Sequence, residues 1–108
     1  MSEENCVFCK ISKGETKADF VYQDDEIIAF NDISPKAPVH LLLVPRRHIE
    51  SINHLCNDDA ELMGSMMCIA PKIAKEVGTG DGYKLLFNVG RKGGQIVDHI
   101  HLHLMGGW

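Results

Sequence analysis

No apolar run in this 108-residue sequence approaches the ~20 residues that a membrane-spanning helix needs, so no membrane partner is expected. A basic excess is also missing: 11 Lys and Arg stand against 15 Asp and Glu, a formal net charge of −4. That balance advertises no nucleic-acid surface and no attraction to anionic lipid. The opening "MSEENCVFCK" is acidic and lacks the apolar stretch of a secretory leader, which points to a cytoplasmic protein. Repeats, linkers and low-complexity tracts are absent, and the length suits one domain over residues 1–108. The glycine-rich segment "GRKGGQIVD" is not followed by Gly-Lys-Ser/Thr, which excludes a Walker phosphate loop. Four cysteines in a reducing compartment argue against a disulfide framework. What remains is 44% hydrophobic, enough to bury a core.

Periodicity places the elements. "CVFCKISKG" reads as a short helix stopped by Gly14. "ADFVYQ" and "EIIAFND" read as strands joined by a turn at Asp24–Asp25, and "VHLLLVP" as a buried strand ending at Pro45. "HIESINHL" is irregular or a single helical turn. One long helix follows, capped by Asn57 or Asp58 and stopped by Gly78. Its apolar stripe is Leu62, Met66, Ile69, Ala70, Ile73, Ala74 and Val77, and Pro71 inside it should produce a kink. Met63, Met66 and Met67 read as core or interface filler. "YKLLFNV" is a further strand, and the chain ends in a fifth, "HIHLHLMGGW". The order of strands, helix, strands with short early connections predicts an antiparallel α+β domain.

That last segment carries three histidines, at 99, 101 and 103. On a strand, alternate side chains share a face, so the three imidazoles would root about 6.6 Å apart on one side. Ile100, Leu102 and Leu104 would take the other side, in the core. A face of imidazoles can hold a metal, bind phosphate, or perform nucleophilic and acid–base chemistry. The loop before it, with Gly90, Gly93 and Gly94, can turn backbone N–H groups toward an anion, with the Asn88 amide nearby. His40, alone at the start of an apolar strand, reads as a core or edge residue, and His54 as exposed. Cys6 and Cys9 form C-x-x-C. No strand precedes them, so half a zinc site is preferred to a redox pair, with His48 and one histidine of the triad able to complete it. His48 reads equally as a solvated residue of "PRRHIE". Cys56 and Cys68 show no partner spacing and read as small buried or half-buried residues.

"HIHLHLM" fits the pattern His-φ-His-φ-His-φ-φ and resembles the histidine triad (HIT) family. "GGQIVDHIHLHLMGG", "CVFCKISKGE", "IIAFNDISPKAPVHLLLVPRRHI" and "FNVGRKGGQ" resemble its Hint branch, so the likeness is nearly chain-wide. The resemblance implies an antiparallel five-stranded α+β fold with one long and one short helix, its sheet extended across a homodimer. It implies transfer or hydrolysis at the α-phosphate of a purine nucleotide conjugate of AMP or GMP type, typically an adenosine phosphoramidate. By motif position His101 resembles the nucleophile, and His99, His103 and His40 its supporting histidines. Phe30, Asp32 and Ile33 resemble the base- and ribose-binding segment, and Asn88 and Gly94 the phosphate pocket, which His101 and His103 complete. Cys6, Cys9, His48 and His99 resemble a structural zinc site. Ile96 departs from the pattern, standing where the branch commonly has a serine or threonine near the leaving group.

The chemistry of the residues agrees with that implication. A neutral imidazole attacks phosphorus when its far nitrogen is held by an acceptor, and the central His101 has neighbours on both sides. No metal is needed at the phosphate. The rival readings are a dinucleoside polyphosphate hydrolase, a nucleotide-binding regulator with an idle triad, and a zinc-binding interaction module.

Overall fold

The computed structural model describes residues 5–108. Helix α1 spans Val7–Ser12, with Cys6 at its N-cap and Gly14 in the left-handed region just beyond it. Strands β1 (Phe20–Gln23) and β2 (Ile27–Asn31) form a hairpin. Its turn closes on the Asp24 carboxylate, which accepts from the Glu26 and Ile27 amides at 2.8 and 2.7 Å. Strand β3 runs Val39–Pro45 and helix α2 Ala60–Glu76. Strands β4 (Tyr83–Leu86) and β5 (Leu102–Gly106) complete an antiparallel sheet in the order β1-β2-β3-β5-β4. Among the described residues no helix is long and apolar enough to cross a membrane.

The central strand shows why "VHLLLVP" reads as an unbroken apolar run. Leu41 and Leu43 face α2 and join Met66, Ala70, Ile73, Leu102 and Leu104 in one core. Leu42 and Val44 face the other way, packing with Ile28 and Phe30 against Phe8 and Ile11 of α1. A strand covered on both faces has no polar side to alternate with. The stripe of α2 is borne out at Leu62, Met66, Ala70, Ile73 and Ala74, which are buried, with Ile69 and Val77 half-buried against them.

Several expectations change. The cap of α2 is Asp59 rather than Asn57 or Asp58, because residues 57–59 already form a 3-10 turn running into the helix. The Asp59 carboxylate turns back to the Cys56 amide at 2.9 Å and pairs with Arg47. The kink expected at Pro71 does not interrupt the helix, which runs through it as one element. Met67 is exposed, unlike Met66, and Cys56 and Cys68 are exposed rather than buried: Cys68 lies off the apolar stripe and Cys56 sits in the turn before it. Strand β4 stops at Leu86 and β5 starts only at Leu102, so His99 and His101 precede the ladder. The reason is competition for hydrogen bonds: the His99 ring bonds to the Pro45 carbonyl and the Ile100 amide to that of Ile49, both at 2.7 Å.

The glycine pair after the triad has a steric cause. A Cβ on Gly106 would meet Thr79 side-chain atoms at 3.0 Å. Gly107 has φ +88°, and a Cβ there would lie 3.0 Å from that of Pro38. Gly107→Ala should therefore cost about 1–3 kcal/mol through left-handed strain and this clash. A urea unfolding midpoint unchanged from wild type would refute it.

Candidate active site and metal cluster

The three histidines share a face but serve two places. Ile100, Leu102 and Leu104 enter the α2 core, which turns the imidazoles toward α1. His99 is fully buried and joins the cysteines of α1. His101 and His103, ring centroids 5.0 Å apart, line a cleft of about 330 Å³. Phe30, Asp32, Ile33, Asn88, Gly94 and Ile96 line the same cleft. Ile33 and Ile96 are among the most exposed apolar residues of the chain, at 98% and 73%. Val7, Phe8 and Ile11 of α1 form a wall that reading the sequence missed, and Lys36 was missed as well. The only signal for Phe8 was its place between two singled-out cysteines. His40 is brought to the site but does not line it: it lies behind His103.

Hydrogen bonds assign the tautomers. His101 Nδ1 lies 2.7 Å from the His99 carbonyl, so Nδ1–H donates and Nε2 keeps the lone pair. The Lys36 amide donates to His40 Nδ1 at 3.0 Å, which leaves the proton on His40 Nε2. That nitrogen is 2.9 Å from His103 Nδ1 and 3.4 Å from Asp32 Oδ2, so its proton lies between two acceptors. That leaves the His103 proton on Nε2, which stands 3.4 Å from the Asn88 side-chain nitrogen. Asp32 Oδ1 is held by the Ser34 amide at 2.8 Å. Asp32, His40 and His103 also have ligand atoms close enough for a metal. The tautomer opposes it, since an ion on His40 Nε2 would displace a proton from a ring whose other nitrogen already accepts.

Burial disfavours the charged form of the three triad rings. Desolvation pushes His101 below the ordinary imidazole range. Desolvation also brings His103 to about 4, reinforced by His101 and His40 and opposed by Asp32. His99 falls to about 4 through burial, against the pull of its bond to Pro45.

The second group is Cys6, Cys9, His48 and His99, whose ligand atoms all lie within 4.8 Å of one another. Cys6 Sγ and His99 Nδ1 are 3.3 Å apart, as are Cys9 Sγ and His48 Nδ1; Cys9 Sγ and His99 Nδ1 are 3.5 Å apart. The two Nδ1 atoms are 3.2 Å apart. Tetrahedral zinc, with bonds of about 2.0–2.3 Å, spaces neighbouring ligand atoms about 3.3–3.8 Å apart, so this donor set fits. His99 Nε2–H donates to the Pro45 carbonyl at 2.7 Å, which fixes the ring and leaves Nδ1 unprotonated toward the thiols. His48 is therefore half-buried in the cluster, not the solvated residue of the other reading.

Known proteins place the chain. The family model described as "Scavenger mRNA decapping enzyme C-term binding" matches residues 5–107. Protein HitA of Neisseria gonorrhoeae is 48% identical over 103 residues, 95% of this chain and 96% of that protein. The purine nucleoside phosphoramidase of Escherichia coli K12 is 46% identical over 108 residues, covering 99% of this chain and 90% of that protein. The crystal structure of a HIT family hydrolase from Legionella pneumophila superposes with a TM-score of 0.94 at 50% identity, over 96% of this chain and 94% of that one. With the triad, the five-stranded sheet and these matches together, the chain belongs to the histidine triad family.

Proposed function

We propose that this chain hydrolyses purine nucleotide phosphoramidates such as adenosine 5′-phosphoramidates, with His101 as nucleophile. The observation that carries the reading is His101 in the cleft, its Nδ1–H committed to the His99 carbonyl and its Nε2 lone pair available. Nε2 attacks the α-phosphorus, the P–N bond breaks, and the amine departs with a proton taken from solvent. The His99 carbonyl stabilises the imidazolium character of the nucleotidyl-histidine. Water then attacks phosphorus, releases the nucleoside monophosphate with loss of a proton, and restores the neutral ring.

The other cleft residues divide the substrate. Asp32, oriented by the Ser34 amide, accepts from the ribose hydroxyls. Phe30 and Ile33 give apolar surface to the base. His103 Nε2–H, the Asn88 side-chain N–H and the backbone around Gly94 face the phosphate oxygens as charge develops. His40 holds His103 in its tautomer. Ile96 offers no hydroxyl to the departing nitrogen, which is why the proton comes from solvent. Cys6, Cys9, His48 and His99 would hold a structural zinc, which would crosslink α1 to the sheet away from the phosphate. The thiolates suit a reducing cytoplasm. Residues 1–108 act as one domain. The outer edge of β4, with Leu85 and Leu86 exposed at 39% and 44%, supports a homodimer in which the two sheets join.

His101→Ala should lower turnover of an adenosine 5′-phosphoramidate by at least 10³-fold while AMP binding stays within a few-fold, since the pocket is built by other residues. Turnover within tenfold of wild type removes His101 as nucleophile. Purified protein should carry about one zinc per chain, and Cys9→Ala should lose it. Elemental analysis finding no zinc in wild type rejects the metal assignment.

The neutral His103 has a consequence for stability. Its folded-state pKa of about 4 lies below the ordinary 6.5, so the unfolded chain binds a proton that the folded chain refuses. The neutral ring is therefore compatible with full stability above pH 6.5, and stability falls as pH drops from there toward 4. Wild type should lose more stability than His103→Gln between pH 7 and 5, measured by urea unfolding. Equal losses would show that His103 is not held neutral by the fold.

A further inference from the structure

Helix α1 touches both sites at once. Cys6 and Cys9 reach the metal cluster, while Val7, Phe8 and Ile11 line the cleft. Phe8 lies between the two thiols, and its ring stands edge-on to three others. The centroid distances are 5.8 Å to His99, 5.0 Å to His101 and 5.6 Å to Phe30, with interplanar angles of 80°, 76° and 62°. His101 is thus held from two directions. One is the His99 carbonyl on Nδ1, the other the Phe8 ring against its side. Both holds belong to the metal cluster or to the helix that carries it.

A helix of six residues does not persist by itself. What keeps α1 in place is apolar packing against Phe30 and Leu42, the Arg46 guanidinium on the Ser12 carbonyl at 2.7 Å, and the thiol contacts with His48 and His99. The first two act on its inner face and its C-terminal end. Cys6 and Cys9, the residues that flank Phe8, share that apolar packing, and the cluster adds their polar contacts with His48 and His99.

We propose that Phe8 is a positioning residue for His101, and that loading of the Cys6, Cys9, His48 and His99 cluster fixes α1 so that the Phe8 ring and the His99 carbonyl together hold His101 in its attacking orientation. The proposal rests on the reading of His101 as nucleophile. It makes the rate of the chemical step depend on an ion that never meets the substrate. A ring held loosely at the nucleophile reduces the chemical step more than it reduces binding.

The test uses the zinc-loaded protein, the protein after chelation, and Phe8→Leu with zinc retained. The readouts are zinc content, the ¹⁵N resonances of the His101 ring, and kcat and KM for adenosine 5′-phosphoramidate. Phe8→Leu should keep its zinc, shift or broaden the His101 ring signals, and lower kcat by about 10- to 100-fold with a smaller change in KM. Chelation of wild type should produce the same changes, reversed by added Zn²⁺. Chelation of Phe8→Leu should lower kcat by a smaller factor than chelation of wild type, because one of the two restraints that the cluster fixes is already gone. Unchanged kcat and ring signals in zinc-loaded Phe8→Leu overturn the proposal, and so do losses that multiply independently. If chelation unfolds the chain, the zinc-loaded variant decides alone. Wild type that binds zinc but never turns over the phosphoramidate defeats the proposed activity instead, and the ring signals still report whether Phe8 positions His101.

Discussion

The His99 imidazole is the constraint on which both sites depend. It is fully buried, and burial of a ring with two polar nitrogens is tolerable only if both are satisfied. Nε2–H goes to the Pro45 carbonyl at the end of the central strand, and Nδ1 goes to the thiols. Fixing that ring fixes its own backbone carbonyl, and the carbonyl selects the tautomer of His101. One side chain therefore ties the end of β3, the short N-terminal helix and the His101 imidazole into one arrangement.

The same pattern of deferred satisfaction runs through the cleft. The Lys36 amide decides the His40 tautomer, and His40 decides that of His103. His103 is thus oriented by a ring behind the cleft, so the surface it presents is set before a ligand arrives. Preorganisation of this kind removes reorganisation cost from the reaction step. Among the described residues no buried side-chain nitrogen or oxygen lacks a partner, as such a chain of dependencies requires.

The apolar rim has a different logic. Ile33 and Ile96 stand well exposed at the cleft, and an exposed isoleucine contributes nothing to folding. Asp32 lies beside Ile33, so a ligand with a flat apolar part joined to a hydroxyl-bearing part suits that end.

Much of this was legible in the chain itself. The period-two alternation of His99 to Leu104 assigned a polar and an apolar face, and both hold even where no strand ladder exists, because the alternation follows from extended backbone rather than from pairing. The stripe of α2 and the run from Val39 to Pro45 likewise reported burial directly. Cys6 and Cys9 were recognisable as candidate metal ligands from their spacing and from the lack of a preceding strand. The residues could not say, apart from the family resemblance, which histidines complete the set, since 39 positions separate Cys9 from His48 and 90 from His99. Nor could they show that β5 begins only at Leu102, because Pro45 and Ile49 compete for the preceding backbone and ring donors through space. Phe8 carried no local mark of function. Its contact with His101 exists only where α1 folds back onto the sheet, a contact between residues 93 positions apart that periodicity and motif do not encode.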